Sequence, residues 1–174
     1  VYAGTNPASD FALKGVYDVS PPIGRRCMVK VGGDLALLTL DGVIPLSQAL
    51  VTERAALTNI AMTKNIHPLI VKDGKDYAAN FGWEMVVYPR GTRAIVNIPT
   101  VENDGQRQYV MNTVTSAWCR FTGWEANCFA VFNDRLFYGT NDGRILEADR
   151  GGGDESAAIV ADLKTAFYYF GNER

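Results

Sequence analysis

The sequence predicts a mainly β protein with one helix, organised as propeller-like repeats of short antiparallel strands, with a β-sandwich as the alternative arrangement. Three observations predict it. Short apolar runs recur along the chain, each closed by a Gly, Asp-Gly, Asn-Asp-Gly or Pro-containing turn. Leu35-Ala-Leu-Leu-Thr-Leu-Asp-Gly42 lines up without a gap with Leu136-Phe-Tyr-Gly-Thr-Asn-Asp-Gly143, and Ile44 then matches Ile145. Between the two copies, strand-like runs follow one another at about four in 40 residues, the spacing of propeller blades.

The elements follow in order. Cys27 to Val31 is a strand, Gly32-Gly33-Asp34 turns the chain, and Leu35 to Leu40 returns. Asp41-Gly42 then leads into Val43 to Leu46, and Asp-Gly between apolar runs favours a type I′ turn. Ser47 to Lys64 contains no Gly or Pro and is rich in Ala and Leu. Leu50, Arg54, Leu57 and Ala61 recur there at helical spacing, with Val51 and Ile60 widening the stripe, so a single helix is expected near 47–64. Thr52 would cap it, Glu53 would sit in its first turn, and Asn65 with His67-Pro68 would end it. Trp83 to Tyr88 and Arg93 to Ile98 flank Pro89-Arg90-Gly91 as a hairpin. Asn103-Asp104-Gly105 turns the chain into Gln108 to Met111, and Ala117 to Thr122 is the next strand. Gly151-Gly152-Gly153-Asp154-Glu155 reads as a connection, followed by Ala157 to Phe170, which ends in the strand-like Phe167-Tyr-Tyr-Phe170. The expected division is a β-rich, propeller-like domain over 1–150 and a glycine-rich connection with an aromatic strand over 151–174. With Val1 in place of an initiating Met, the chain is expected to be a piece of a longer protein.

Composition narrows the function. At 174 residues and 47% hydrophobic, the chain can bury a core. Seventeen Lys and Arg against 19 Asp and Glu give a formal charge of -2, so neither nucleic acid nor an anionic membrane surface is an expected partner. One His and three scattered cysteines, Cys27, Cys119 and Cys128, supply neither a zinc site nor a disulfide framework. No cofactor or metal is expected, and an odd count of thiols suits folding in a reducing cytoplasm.

Among residues that could carry chemistry, His67 could activate Cys27 or Cys128, but no local signature accompanies either cysteine, and His67 reads more simply as a helix cap. The triple glycine from Gly151 lacks the Gly-Lys-Ser/Thr ending of a phosphate loop. The acidic turns Glu102-Asn103-Asp104, Asn141-Asp142 and Asp149 with Asp154-Glu155 lack the alternating oxygen ligands of a calcium loop. The aromatics Trp118, Phe121, Trp124, Phe129, Phe132, Phe137 and Tyr138 are dense, with Arg120 and Arg135 among them. Packing between sheets explains most of them. Trp124, behind Gly123 in a presumed loop, is the one expected to be exposed, and Trp124 with Arg120 is the candidate binding pair.

Trp118-Cys-Arg-Phe-Thr-Gly-Trp124, Cys128-Phe, and Arg135-Leu-Phe-Tyr-Gly139 with Asp142-Gly143 resemble segments of tailed-bacteriophage structural proteins with propeller-like β repeats. Asp34-Leu through Leu40-Asp-Gly-Val-Ile-Pro-Leu-Ser47 is similar to another of their segments. So is the hairpin pair of Gly82-Trp83 through Tyr88-Pro89 and Val96-Asn97-Ile98-Pro99. The likeness extends over residues 34–148 and includes no catalytic motif. It implies a non-enzymatic virion or tail-assembly protein, made in the bacterial cytoplasm, whose partners are other virion proteins and further copies of itself. The alternative is a carbohydrate-binding module that meets a host glycan through its aromatics. A third reading, a glycoside hydrolase, would need two paired carboxylates, and the sequence does not pair any.

Overall fold

The structure is a computed structural model that describes residues 1–154 and 157–161. An N-terminal ribbon pairs β1 (Tyr2–Ala3) with β2 (Ala12–Leu13). The first sheet is an antiparallel meander of β3 (Met28–Val31), β4 (Asp34–Thr39) and β5 (Gly42–Pro45). Helical turns α1 (Leu46–Ala49) and α2 (Leu57–Ile60) and the longer helix α3 (His67–Tyr77) come next. The middle sheet runs β6 (Glu84–Tyr88), β7 (Arg93–Pro99), β8 (Gln106–Asn112) and β9 (Trp118–Thr122) in spatial order. The third is β10 (Ala126–Phe132), β11 (Arg135–Thr140) and β12 (Ile145–Glu147), followed by a short hairpin of β13 (Gly153–Asp154) and β14 (Ala157–Ala158). The protein is mainly β, as the strand-and-turn pattern predicts. Its small antiparallel sheets form no closed barrel among the described residues.

The two halves of the sequence repeat occupy equivalent places. Leu35–Gly42 and Leu136–Gly143 each supply the middle strand of a three-stranded meander and the turn after it. The turns differ from expectation. Paired positive φ values, the mark of a type I′ turn, occur at Asn133 and Asp134. At Asp41-Gly42 only Gly42 has a positive φ, and Thr39 Oγ1 donates to the Gly42 carbonyl at 2.9 Å. A Cβ at Gly42 would also run into the Thr63 hydroxyl, so glycine is needed for space as well as for φ.

The three sheets stack face to face. On one side of the middle sheet, Met85, Ala94, Val96, Ile98, Tyr109 and Met111 pack with Ala36, Leu38 and Val43 of the first sheet and Ile70 of α3. On its other side, Tyr88, Ile95 and Val110 meet Ala126, Phe129, Leu136 and Tyr138 of the third. Successive side chains on a strand point to opposite faces, and β7, apolar apart from Arg93 and Asn97, is buried from both sides. Each fully buried aliphatic side chain there contributes about 1.5–3 kcal/mol. The middle sheet is thus packed on both of its faces. The outer side of the first sheet is closed by a smaller cluster of Ile44, Ala49, Leu57 and Ala61.

The helix expected near 47–64 is corrected. Only α1, α2 and two 3-10 turns form there, because Glu53 (φ -61°, ψ 144°) and Ala61 (φ -60°, ψ 136°) are extended. Tertiary pairing overrides propensity at this point. The free edge of β5 draws in the chain, Met62 N donating to the Val43 carbonyl at 2.8 Å and Val43 N to Thr63 Oγ1 at 3.1 Å. The real helix is α3. His67-Pro68, expected to end a helix, begins one, since proline's missing N–H and fixed φ suit the first turn. The Phe167-Tyr-Tyr-Phe170 run lies outside the described residues.

Candidate functional site

Trp124 is not the exposed platform expected. The turn after β9 folds it back, half-buried, onto the open end of the core between the middle and third sheets. Its ring stacks on Tyr138 at 5.4 Å and 7° and meets Phe121 edge-on at 5.5 Å and 73°. Arg120 is exposed on β9, opposite Tyr109, and so lies on the side of the sheet away from Phe121 and Trp124. The two candidate residues are not brought together.

A polar junction joins the starts of the three sheets. Arg26 Nη1 bonds Glu84 Oε2 at 2.8 Å, and the same oxygen accepts from the Phe129 N–H at 2.9 Å. Glu84 therefore ties the entry to β3, the start of β6 and the middle of β10. Deeper in, Asn97 Nδ2 donates to the carbonyls of Gly82 and Ala126, and Gln108 Nε2 donates to Asn97 Oδ1 and the Trp124 carbonyl. Beside the junction lies an open cleft of about 430 Å³ whose rim includes Arg25, Arg26, Phe81, Glu102 and Asn103. The Arg26 guanidinium sits 5.6 Å over the Phe81 ring there. A second cleft, of about 580 Å³, is walled by Tyr88, Arg90, Arg135, Glu147, Asp149 and Arg150.

The carboxylates of the junction and of the second cleft are engaged by arginines: Glu84 by Arg26, Glu147 by Arg135 and Arg150, and Asp149 by Arg93. Arg135 donates to Glu147 through Nε at 2.6 Å and holds that carboxyl below its ordinary range. The Thr140 hydroxyl and Arg144 do the same for Asp142. A general acid at neutral pH needs the opposite shift. These ion pairs connect elements rather than pose a proton for transfer.

On the other side of the middle sheet, Asp73 of α3 is buried and accepts from Arg107 and from the Tyr109 hydroxyl at 2.8 Å. Burial, then the bond to Asp73, push the Tyr109 phenol up to about 12. A group whose folded pKa lies above its unfolded value of about 10 contributes stability below pH 10 and loses it as the pH rises towards 12. Urea melts between pH 9 and 12 are expected to show wild type losing stability more steeply than Tyr109→Phe. Parallel curves would contradict this assignment.

Two apolar surfaces escaped the sequence reading. By strand alternation, Phe129 and Leu136 of the third sheet face the core, while Ala130, Phe132, Phe137 and Ile145 face outward together with the Arg135–Glu147 ion pair. Phe132 and Ile145 are 68% and 78% exposed. The other surface is the N-terminal ribbon, where Tyr2, Phe11 and Leu13 share one side. The run Cys128–Phe132, apolar at consecutive positions, held a usable signal, since a strand with that pattern is covered on both faces. Comparison with family models, with curated proteins and with solved structures gives no match.

Proposed function

We propose that this chain is a non-enzymatic structural component of a tailed-bacteriophage virion or tail assembly, acting through protein–protein packing. Its three meanders serve as consecutive blades of a propeller-like array. The observation that carries the proposal is the asymmetry of the stack: its first sheet is capped by α1 and α2, while the outward side of its third presents exposed Phe132 and Ile145 that no other described residue covers. In a stack whose layers are each covered by a neighbour, a bare terminal face is a place for a further layer.

The blade reading draws on the order of the strands. The three sheets are successive in sequence and each is an antiparallel meander. The entry to β3 bridges β6 in parallel through Arg26 and Glu84, and β10 packs beside β6. A parallel bridge from the entry of the first meander to the first strand of the second, with the third packed beside it, suits blades around an axis. The biological setting rests on the resemblance of residues 34–148 to tailed-phage structural proteins. A glycan platform gains nothing from Trp124, whose ring is stacked on Tyr138.

Mass spectrometry of purified phage particles from the source bacterium tests the proposal. Peptides of this chain are expected at a fixed copy number per particle. Clean particles without them, from a lysate in which the protein is abundant, would overturn the proposal.

A further inference from the structure

We infer that copies of this chain join head to tail, the N-terminal ribbon of one seating on the bare face of the third sheet of the next. The inference rests on the assembly role proposed above and names the contact through which it works.

The ribbon has no visible reason to hold its shape alone. A two-stranded hairpin in water is marginal, and this one places Tyr2, Phe11 and Leu13 on one side, each at least half exposed. Val16 and Tyr17 extend the apolar surface. The loop is nevertheless well made. The Asp10 carboxylate accepts from the Thr5 backbone N–H at 3.0 Å and from the Thr5 hydroxyl at 2.6 Å, and it also accepts from the Asn6 N–H. Tyr2 and Phe11 stack across the strands at 5.5 Å and 7°. A ribbon ordered before binding loses less entropy on docking.

Its place in the fold indicates the occupant. Val19 packs into the cap cluster of Ile44, Ala49, Leu57 and Ala61, and buried Ser20 donates to Asp41. The ribbon therefore leaves the stack at its capped end. The outward face of Ala130, Phe132, Phe137 and Ile145, which also carries the Arg135–Glu147 ion pair and is left open by the described residues, is at the other end, two sheet spacings or about 20 Å away. Donor and acceptor surfaces at opposite ends of one chain match between copies, and such heterologous contacts propagate into rings or filaments. At these exposures the apolar side chains offer on the order of 500 Å² on each partner. A contact of roughly 1,000 Å² in total reaches the lower bound of specific interfaces and suits micromolar association.

The test uses the full chain and two surface variants in sedimentation velocity at about 100 µM, well above a micromolar Kd. The ribbon variant carries Phe11→Asp and Leu13→Asp; the face variant carries Phe132→Asp and Ile145→Asp. Wild type is expected to form species larger than a monomer, and each variant alone to remain monomeric. Mixed, the two should form a heterodimer, because each retains the surface the other lacks. Thermal melts within a few degrees of wild type, as expected for exposed positions, verify folding. Should the charges unfold either chain, Leu13→Ser and Ile145→Ser replace them in the same mixing scheme. A monomeric wild type, a ribbon variant that assembles like wild type, or a mixture that stays monomeric would each overturn the inference. Those results leave the particle inventory untouched. Absence of the chain from particles would overturn the assembly role while a positive mixing result still stood.

Discussion

Replacing Asn97 by leucine is expected to destabilise the protein by about 3–5 kcal/mol, although leucine is close to asparagine in size. Asn97 is fully buried on β7. Its Nδ2 donates at 2.8 Å to the Gly82 carbonyl and at 2.7 Å to that of Ala126, and its Oδ1 accepts from Gln108 Nε2 at 2.8 Å. Leucine would leave two carbonyls and one amide N–H without partners in a site closed to water, at about 1–3 kcal/mol each. The Ala126 carbonyl opens β10, so the loss falls on the seam between the middle and third sheets. Urea unfolding followed by tryptophan fluorescence is the measurement, since Trp124 lies across that seam. Gln108→Leu should cost a similar amount, and the double variant less than the two together, because both remove one network. A change below about 1 kcal/mol for Asn97→Leu would show that the seam is held by apolar packing alone.

The strands were legible because their cause is local. Short, mostly apolar runs such as β4 and β7, with turns at Gly32-Gly33 and Asn103-Asp104-Gly105, need no knowledge of partners. The helices were not legible, for opposite reasons. Ser47–Lys64 has helical composition, but the edge of β5 binds its last residues through Met62 and Thr63 and breaks it. In α3 the buried positions Ile70, Asp73 and Gly74 have helical spacing, yet two of the three are not apolar. Asp73 is buried because Arg107 and Tyr109 wait for it, and Gly74 because Ile23 and Leu40 approach to 3.3 Å of where a Cβ would be. Neither fact exists before the chain folds. Trp124 was misplaced for the same reason: its exposure depended on Tyr138, across the seam, and its loop position gave no sign of that.

The bare face of the third sheet and the polar seam behind it belong to one physical scheme. Buried amides such as Asn97 and Gln108 fix how one sheet sits on the next, since apolar surfaces alone would tolerate sliding. On the outward face of Phe132 and Ile145 the charged groups, Arg135 and Glu147, already pair with each other. A contact there can form and release without leaving buried polar groups orphaned, as reversible association requires.

The second large effect is expected at Asp73. Asp73→Ala should cost about 3–5 kcal/mol, because it strands the Arg107 guanidinium beside a closed core and leaves the Tyr109 hydroxyl without its acceptor. Asp73→Asn should cost less, since its amide oxygen can still accept from one of the two donors. The order of the two variants separates a role for the charge and its bonds from simple filling of space, which both would preserve unequally. Removing the stranded charge supplies the sharper check. Arg107→Met in the Asp73→Ala background is expected to recover stability, as replacing both members of a buried ion pair by apolar groups is often neutral. Equal losses for Asp73→Ala and the double variant would mean that Arg107 reaches water once unpaired, and that α3 is held by Ile70 and Trp83 instead. Self-association should survive in either variant at temperatures where the chain stays folded. Asp73 acts between α3 and the middle sheet, with the full thickness of that sheet between it and the exposed face of the third.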